Sequence, residues 1–209
     1  LLENLIQTGK PIIMSTGKSF MWEISRAVEL IRRNNIPFAI LHCVAQYPAP
    51  FADLNLATIS AFRRFFPDAV VGFSDHSQGI TAALGAVSLG AKIIERHVTY
   101  DNNGDGPDHW FSSSPSEFKK LCQEIRNLER SLGTVRSGIF KSEEKEREFS
   151  VKSLVIKSSL KVGDLIYEEN LEAKRPGHGI DPFDAKKVIG MKVNCNLKKG
   201  SVLTWDLLQ

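Results

Sequence analysis

Two histidines carry the first chemical signal. His76 closes the phrase Phe73-Ser74-Asp75-His76 and His97 closes Glu95-Arg96-His97, each just after an apolar run. Neutral imidazole is the commonest protein ligand for a borderline divalent metal, so two imidazoles at neighbouring element ends can share one ion. A single histidine in such a place more often caps a strand or satisfies a core hydrogen bond, but the matched pair favours a site. Glu95, in the same phrase as His97, offers an acid, a base or an orienting partner for a ligand. Its plainer use is an ion pair with a neighbouring cation. Ser15 and Ser74, with the backbone near Gly17, can hold a phosphate through neutral hydrogen bonds, although serine and glycine serve turns equally. The acid-rich stretch Asp101–Asp108 lacks the closing glutamate of an EF-hand loop, which leaves a solvated loop or a polyol-binding carboxylate at Asp108. Lys174-Arg175-Pro176-Gly177 sets a cation on a stiffened turn, either an ordinary turn or a cationic finger for an anionic substrate.

Positioning these groups requires elements that end where they stand. Four short apolar runs precede them: Pro11–Met14, Phe38–Leu41, Ala69–Gly72 and Ala91–Ile94. Each is nearly continuous and rich in branched residues, the pattern of a strand buried on both faces. Helical patterns alternate with them. Trp22–Asn34 places Ile24, Ala27, Val28 and Ile31 on one stripe; Leu54–Phe66 follows Asp53, a candidate N-cap; Thr81–Leu89 is small and apolar; Ser116–Leu132 ends at Gly133. The alternation has the length of successive βα units and predicts a parallel sheet. Polar, reactive residues follow all four runs, and the carboxyl ends of the strands are where a (β/α)₈ barrel keeps its active site. Four units make half of such a barrel. The chain has no initiating Met and opens on the helix-like Leu1–Ile6, so the other strands are expected upstream.

After Gly133 the composition changes. A charged linker is expected over 136–150, with Ser142–Arg147 its most charged part, and short β-like runs with glycine turns follow over 151–209. Leu160–Ile166 and Leu197–Leu203 repeat one phrase, which predicts two related turns in a small second domain. The expected division is therefore 1–135, 136–150 and 151–209.

Hydrophobic residues make up 42% of the chain and charged ones 24%, as in ordinary globular proteins, and a net charge of +3 gives no argument for nucleic acid. Three scattered cysteines without a CxxC pair argue against a disulfide framework and for a reducing, cytoplasmic compartment. No apolar run has the length of a membrane span, and no signal peptide is visible.

Taken together, Gly9–Gly17, His42-Cys43-Val44-Ala45-Gln46-Tyr47-Pro48, Gly72–His76, Ile94–His97 with Gly106-Pro107-Asp108, and Lys174–Gly177 resemble the sialic acid synthase family, which includes N-acetylneuraminate synthases and relatives that make legionaminic, pseudaminic and spore-coat sugars. The resemblance covers essentially the whole chain. It implies the carboxy-terminal half of a (β/α)₈ barrel followed by an antifreeze-like SAF domain, in a domain-swapped homodimer. It also implies condensation of phosphoenolpyruvate with N-acetylmannosamine or a related hexose to a nonulosonic acid and phosphate, with a divalent metal: Mn²⁺, or Mg²⁺ or Co²⁺. By the same resemblance His76 and His97 are metal ligands, Glu95 is the active-site carboxylate, and Ser15 and Ser74 hold phosphoenolpyruvate. Tyr47 and Asp108 then contact the acceptor sugar, Arg175 reaches the partner's sugar, and Phe149 is a linker aromatic near that site. Two positions depart from the family pattern: Ala45 stands where a polar donor is usual, and Trp110-Phe111 is more aromatic than expected. A degenerate synthase serving as a carbohydrate-binding module and a different metal-dependent barrel aldolase are the competing readings. The retained His76, His97, Glu95 and Asp108 oppose the first, and the fused Arg175-bearing domain opposes the second.

Overall fold

The computed structural model describes residues 1–209. The chain divides into two compact units, Leu1–Thr134 and Val135–Gln209.

The first unit runs α1 (Leu2–Ile6), β1 (Ile12–Ser15), α2 (Met21–Arg33), β2 (Phe38–Cys43), α3 (Ala57–Phe65), β3 (Val70–Asp75), α4 (Thr81–Ser88), β4 (Ile94–Arg96) and α5 (Pro115–Leu132). All four strands are parallel and stand in chain order, β1-β2-β3-β4. Right-handed crossovers between sequential neighbours put every helix on the same face of the sheet, and the result is half of a (β/α)₈ barrel. Register and alternation fix which side chains go where. Ile12, Phe38, Ile40, Val71 and Phe73 pack under α2, α3 and α4, against Ile24, Val28, Ile31, Ile59, Phe62, Ala82 and Ala86. The alternate residues, among them Ile13, Ser15, Cys43, Ser74 and Glu95, face the concave side. Ile13 is 60% exposed there.

The second unit opens with a 3₁₀ turn (Lys141–Glu143) and α6 (Glu144–Ser150), so the charged stretch is helical. Then β5 (Ser153–Ile156) pairs antiparallel with β6 (Leu171–Lys174), and α7 spans Ala185–Val188. Leu154, Ile156, Leu160, Ile166, Ile180, Val188, Val193, Leu197 and Leu203 close one core. The two repeated phrases face each other in that core. Leu160 and Leu197 exchange both backbone hydrogen bonds, at 2.9 and 2.8 Å. Each phrase then turns in the same way. Asp164 Oδ2 accepts from Lys161 N–H at 2.7 Å, and Ser201 Oγ accepts from Lys198 N–H at 3.1 Å. Gly163 and Gly200 take positive φ at matching places, +86° and +90°, where a side chain is strained.

Two local expectations are corrected. Asp53 does not cap a helix: it ends a short 3₁₀ turn, and α3 begins only at Ala57 after Asn55 takes a left-handed conformation, which asparagine tolerates. The fourth strand pairs regularly over 94–96 rather than 91–94. Single bonds still tie the earlier part of the run to β3, from Lys92 N–H to Val71 O at 2.8 Å and from Phe73 N–H to Ile93 O at 2.9 Å, while Ala91 is buried in the core under the helices. No helix is long and apolar enough to cross a membrane.

Candidate active site

The ends of β3 and β4 are built from two parallel triplets, Ser74-Asp75-His76 and Glu95-Arg96-His97. The register pairs Ser74 with Glu95 and Asp75 with Arg96. Alternation therefore sends Ser74 and Glu95 to the concave face and Asp75 and Arg96 to the helix side. On the concave side Ser74 Oγ–H donates to Glu95 Oε1 at 2.7 Å. One residue beyond the outward pair, the His76 and His97 rings meet edge to face with centroids 5.2 Å apart.

A second loop roofs the histidines. His76 Nδ1 lies 3.0 Å from Val44 O, and His76 O accepts from Ala49 N–H at 2.9 Å. These bonds clamp the 44–49 loop, and the Tyr47 ring comes to rest 4.2 Å from His76 and 5.7 Å from His97, centroid to centroid. Partial burial, then the nearby Cys43 thiol and the Asp108 and Glu95 carboxylates, push the Tyr47 phenol above its ordinary value. It is therefore a protonated hydroxyl donor at neutral pH. Cys43 Sγ lies 3.8 Å from His76 Nδ1. Gly17 permits this packing: a Cβ there would sit 2.9 Å from Cys43 Sγ.

The acid-rich loop returns to the same place. Asp101 Oδ1 accepts from Asn103 N–H, and Asn102 Nδ2 donates to His109 O and Ser112 O, folding the loop on itself. Asp108 Oδ2 then stands 3.5 Å from His97 Nδ1, and Phe111 packs 5.2 Å from the His97 ring and 5.4 Å from Tyr47.

The donor chemistry fits a divalent ion in part. A carbonyl at His76 Nδ1 requires that nitrogen to be N–H, which leaves Nε2 with its lone pair. A carboxylate facing His97 Nδ1 favours the same tautomer, the arrangement that orients metal-binding imidazoles. No cluster of three or more His, Cys, Asp or Glu side chains forms in the chain, so any further ligands come from water, substrate or residues outside it.

Six of the residues singled out in the sequence thus meet in one neighbourhood: Ser74, Glu95, His76, His97, Tyr47 and Asp108. Ser15 stands on the concave face of β1, its register partner Leu41 two residues before Cys43. Arg175 and Phe149 belong to the second unit, where both are exposed. Their segments are adjacent: Gly177 N–H bonds to Glu148 O at 3.0 Å. Ser153 Oγ donates to Pro176 O at 2.7 Å and accepts from Gly179 N–H at 2.8 Å. A Cβ at Gly179 would sit 2.5 Å from Leu203 O, so glycine lets this loop press onto the domain.

Residue types alone give Asp75 and Arg96 no role and mark Phe111 only as unusually aromatic for its place. Asp75 and Arg96 form an ion pair at 2.6 Å with side chains 0% and 4% exposed. The available signal was strand parity, because a charge between two inward-facing residues must point to the other side.

A model described as the NeuB family matches residues 1–137, and one described as the SAF domain matches residues 151–209. An uncharacterized protein of Methanocaldococcus jannaschii, MJ1065, is 37% identical over 207 residues, 99% of this chain and 61% of its own. The N,N'-diacetyllegionaminic acid synthase of Campylobacter jejuni is 37% identical over 205 residues, 97% of this chain and 61% of its own. The crystal structure of the spore coat polysaccharide biosynthesis protein SpsE of Bacillus subtilis superposes with a TM-score of 0.61 at 32% identity, covering 100% of this chain and 64% of that one. The chain therefore spans about three-fifths of the length of these relatives. With two thirds of its length on the family model and its strand-end motifs in one neighbourhood, the chain belongs to the NeuB family and carries a SAF domain after its barrel half.

Proposed function

We propose that this chain is the carboxy-terminal part of a nonulosonic acid synthase, which condenses phosphoenolpyruvate with N-acetylmannosamine or a related N-acetylated hexose and releases phosphate. The observation that carries this reading is the convergence of His76, His97, Glu95, Ser74, Tyr47 and Asp108 on one strand-end face. The name of the Campylobacter jejuni relative supports the same class of product.

In this reading Ser15 and Ser74 hold the phosphoenolpyruvate oxygens. Ser74 Oγ–H donates a hydrogen bond to Glu95 Oε1. A phosphate oxygen that accepts this hydrogen bond instead frees the Glu95 carboxylate, which then accepts a proton from the incoming water. The Tyr47 hydroxyl and the Asp108 carboxylate orient the acceptor sugar by hydrogen bonds. His76 and His97 would hold a divalent ion, Mn²⁺ before Mg²⁺ or Co²⁺. Such an ion, when bound, supplies Lewis-acid polarisation of the acceptor aldehyde. The bond formed joins the phosphoenolpyruvate methylene carbon to that aldehyde carbon. The aldehyde oxygen becomes an alkoxide and the phosphate-bearing carbon an oxocarbenium centre. Water adds there and gives one proton to Glu95, the alkoxide takes up a proton, and the C–O bond to phosphate breaks as the new hydroxyl loses its proton and becomes the ketone. Ala45 offers no side-chain donor to phosphoenolpyruvate, so more of that binding falls to Ser15 and Ser74.

Arg175, an exposed cation on a loop pinned by Ser153, serves the acceptor site of a second copy in a domain-swapped homodimer, with Phe149 beside it. The free thiols of Cys43, Cys122 and Cys195 fit a cytoplasmic setting. The test is phosphate release from phosphoenolpyruvate by the full-length protein across a panel of N-acetylated hexoses. Hexose-dependent release is expected. Tight sugar binding with no release for any member of the panel contradicts the reading and favours a binding module.

A further inference from the structure

We infer that Asp75 and Arg96 are the positioning pair of this site: a buried cross-bridge on the helix side of the sheet that sets where His76 and His97 stand on the other. The inference rests on the reading of those histidines as working residues, and it goes beyond it by naming what holds them.

The geometry is specific. Asp75 and Arg96 are register partners on β3 and β4, each one residue before a histidine. Arg96 spends its guanidinium in three directions. Nη1 donates to Asp75 Oδ2 at 2.6 Å, Nη2 to Ser77 O at 2.7 Å, and Nε to Ser113 Oγ at 2.6 Å. Ser77 follows His76 directly, and Asp75 Oδ1 also accepts from Ser77 N–H at 2.8 Å and from Ser77 Oγ at 2.7 Å. Asp75 and Ser77 thus hold both sides of His76. Ser113 N–H donates to His97 O at 3.0 Å, and Ser113 O accepts from Thr99 N–H at 2.9 Å. One guanidinium therefore ties the backbone after His76 to the segment that fixes His97.

A buried ion pair is an inefficient way to stabilise a fold, since desolvation offsets most of the attraction and apolar replacements are often neutral. It is well suited to fixing geometry, because a planar fork with donors in set directions tolerates few arrangements. Lysine keeps the charge but presents a single ammonium and cannot span Asp75, Ser77 and Ser113 together.

The test compares the full-length protein with its Arg96→Lys variant and with the double variant Asp75→Leu/Arg96→Met, which replaces the pair by apolar side chains. An exposed-pair control, Arg32→Gln, removes the surface bridge to Asp68. The readout is the long-range ¹⁵N–¹H spectrum of the histidine imidazoles, taken without metal or substrate, beside melting by circular dichroism. In wild type and control, His76 and His97 each give one tautomer with protonated Nδ1. In a folded double variant and in Arg96→Lys, both signals lose that single tautomer or split. Mn²⁺ titrated into the full-length protein then binds ten- to a hundredfold more weakly, the usual effect of losing an outer partner of a ligand. Unchanged imidazole spectra in either folded variant overturn the proposal. If the double variant does not fold, Arg96→Lys decides by the same spectra, and if that too unfolds, the pair holds the fold rather than the histidines and the proposal fails. Because substrate is absent from the spectra, loss of the synthase reading alone leaves this result standing.

Discussion

The two units solve the burial problem differently. In the second, side chains from Leu154 to Leu203 turn inward to one closed core, where Ile156, Ile166, Val188, Val193 and Leu203 are wholly buried. In the first, the main apolar core lies on one side of the sheet, under the helices, and the concave side carries Ser15, Ser74 and Glu95 beside Ile13 and the wholly buried Leu41. The contrast shows where each unit has freedom to vary. A closed core leaves polar variation to its surface loops, such as the one that carries the exposed Arg175. A sheet packed mainly on one face leaves every second strand residue free to carry chemistry, and in the half-barrel taken alone Ile13 stands exposed on that face.

The sharpest way to break the contrast is to delete matched aliphatic groups. Leu203→Ala opens a cavity in the closed core and is expected to cost roughly 2–5 kcal/mol. Ile13→Ala, on the open face, is expected to change stability by no more than about 0.5 kcal/mol. Urea unfolding of the 209-residue chain measures both, and equal costs would remove the distinction. Separate expression sharpens it: residues 151–209 should remain folded and monomeric in light scattering, whereas residues 1–134, with open parallel edges, should self-associate. Arg175→Ala comes next. An exposed side chain on a pinned loop supports little packing, so melting should hardly move. Charge-assisted hydrogen bonds to a sugar contribute roughly 1.5–3 kcal/mol each, so kcat/KM of the full-length protein should fall by about one to two decades or more. An unchanged kcat/KM contradicts that role.

The smallest expected effect concerns pH. Burial between Phe62 and Phe73 holds the His42 pKa below its ordinary value, with a partial opposing effect from its bond to Leu54 O. The unfolded chain then takes up a proton that the folded chain refuses. The stability of the first unit is full above the ordinary histidine value of about 6.5 and declines as pH drops below it. The protection factors of the Ile40 and Leu41 amides, which remove the intrinsic pH dependence of exchange, should fall between pH 7.5 and 5.5 in wild type, and less so in His42→Gln. An equal fall in the two proteins would assign the pH dependence elsewhere.

Much of this was legible in residue order. The four apolar runs mark β1–β4 within a few residues because buried parallel strands need continuous apolar stretches, and Gly133 marks the end of α5. The repeat Leu160–Ile166 and Leu197–Leu203 reads directly as two turns because each needs a glycine at positive φ. The break before α3 was hidden, since Asp53 has the chemistry of a cap but Asn55 takes the turn. At the site, the concave residues carried recognisable chemistry. The Asp75–Arg96 bridge and the Phe111 wall did not, because their roles exist only once register and loop closure bring them to the histidines.

The central claim is that His76 and His97, set side by side at the ends of β3 and β4, are the working centre of a phosphoenolpyruvate-dependent condensation. Its most direct test is Mn²⁺-stimulated phosphate release by the full-length protein carrying His97→Ala. We expect a folded protein, by circular dichroism, whose hexose-dependent release falls to background with or without added Mn²⁺. Metal-stimulated turnover equal to wild type in that variant would contradict the account.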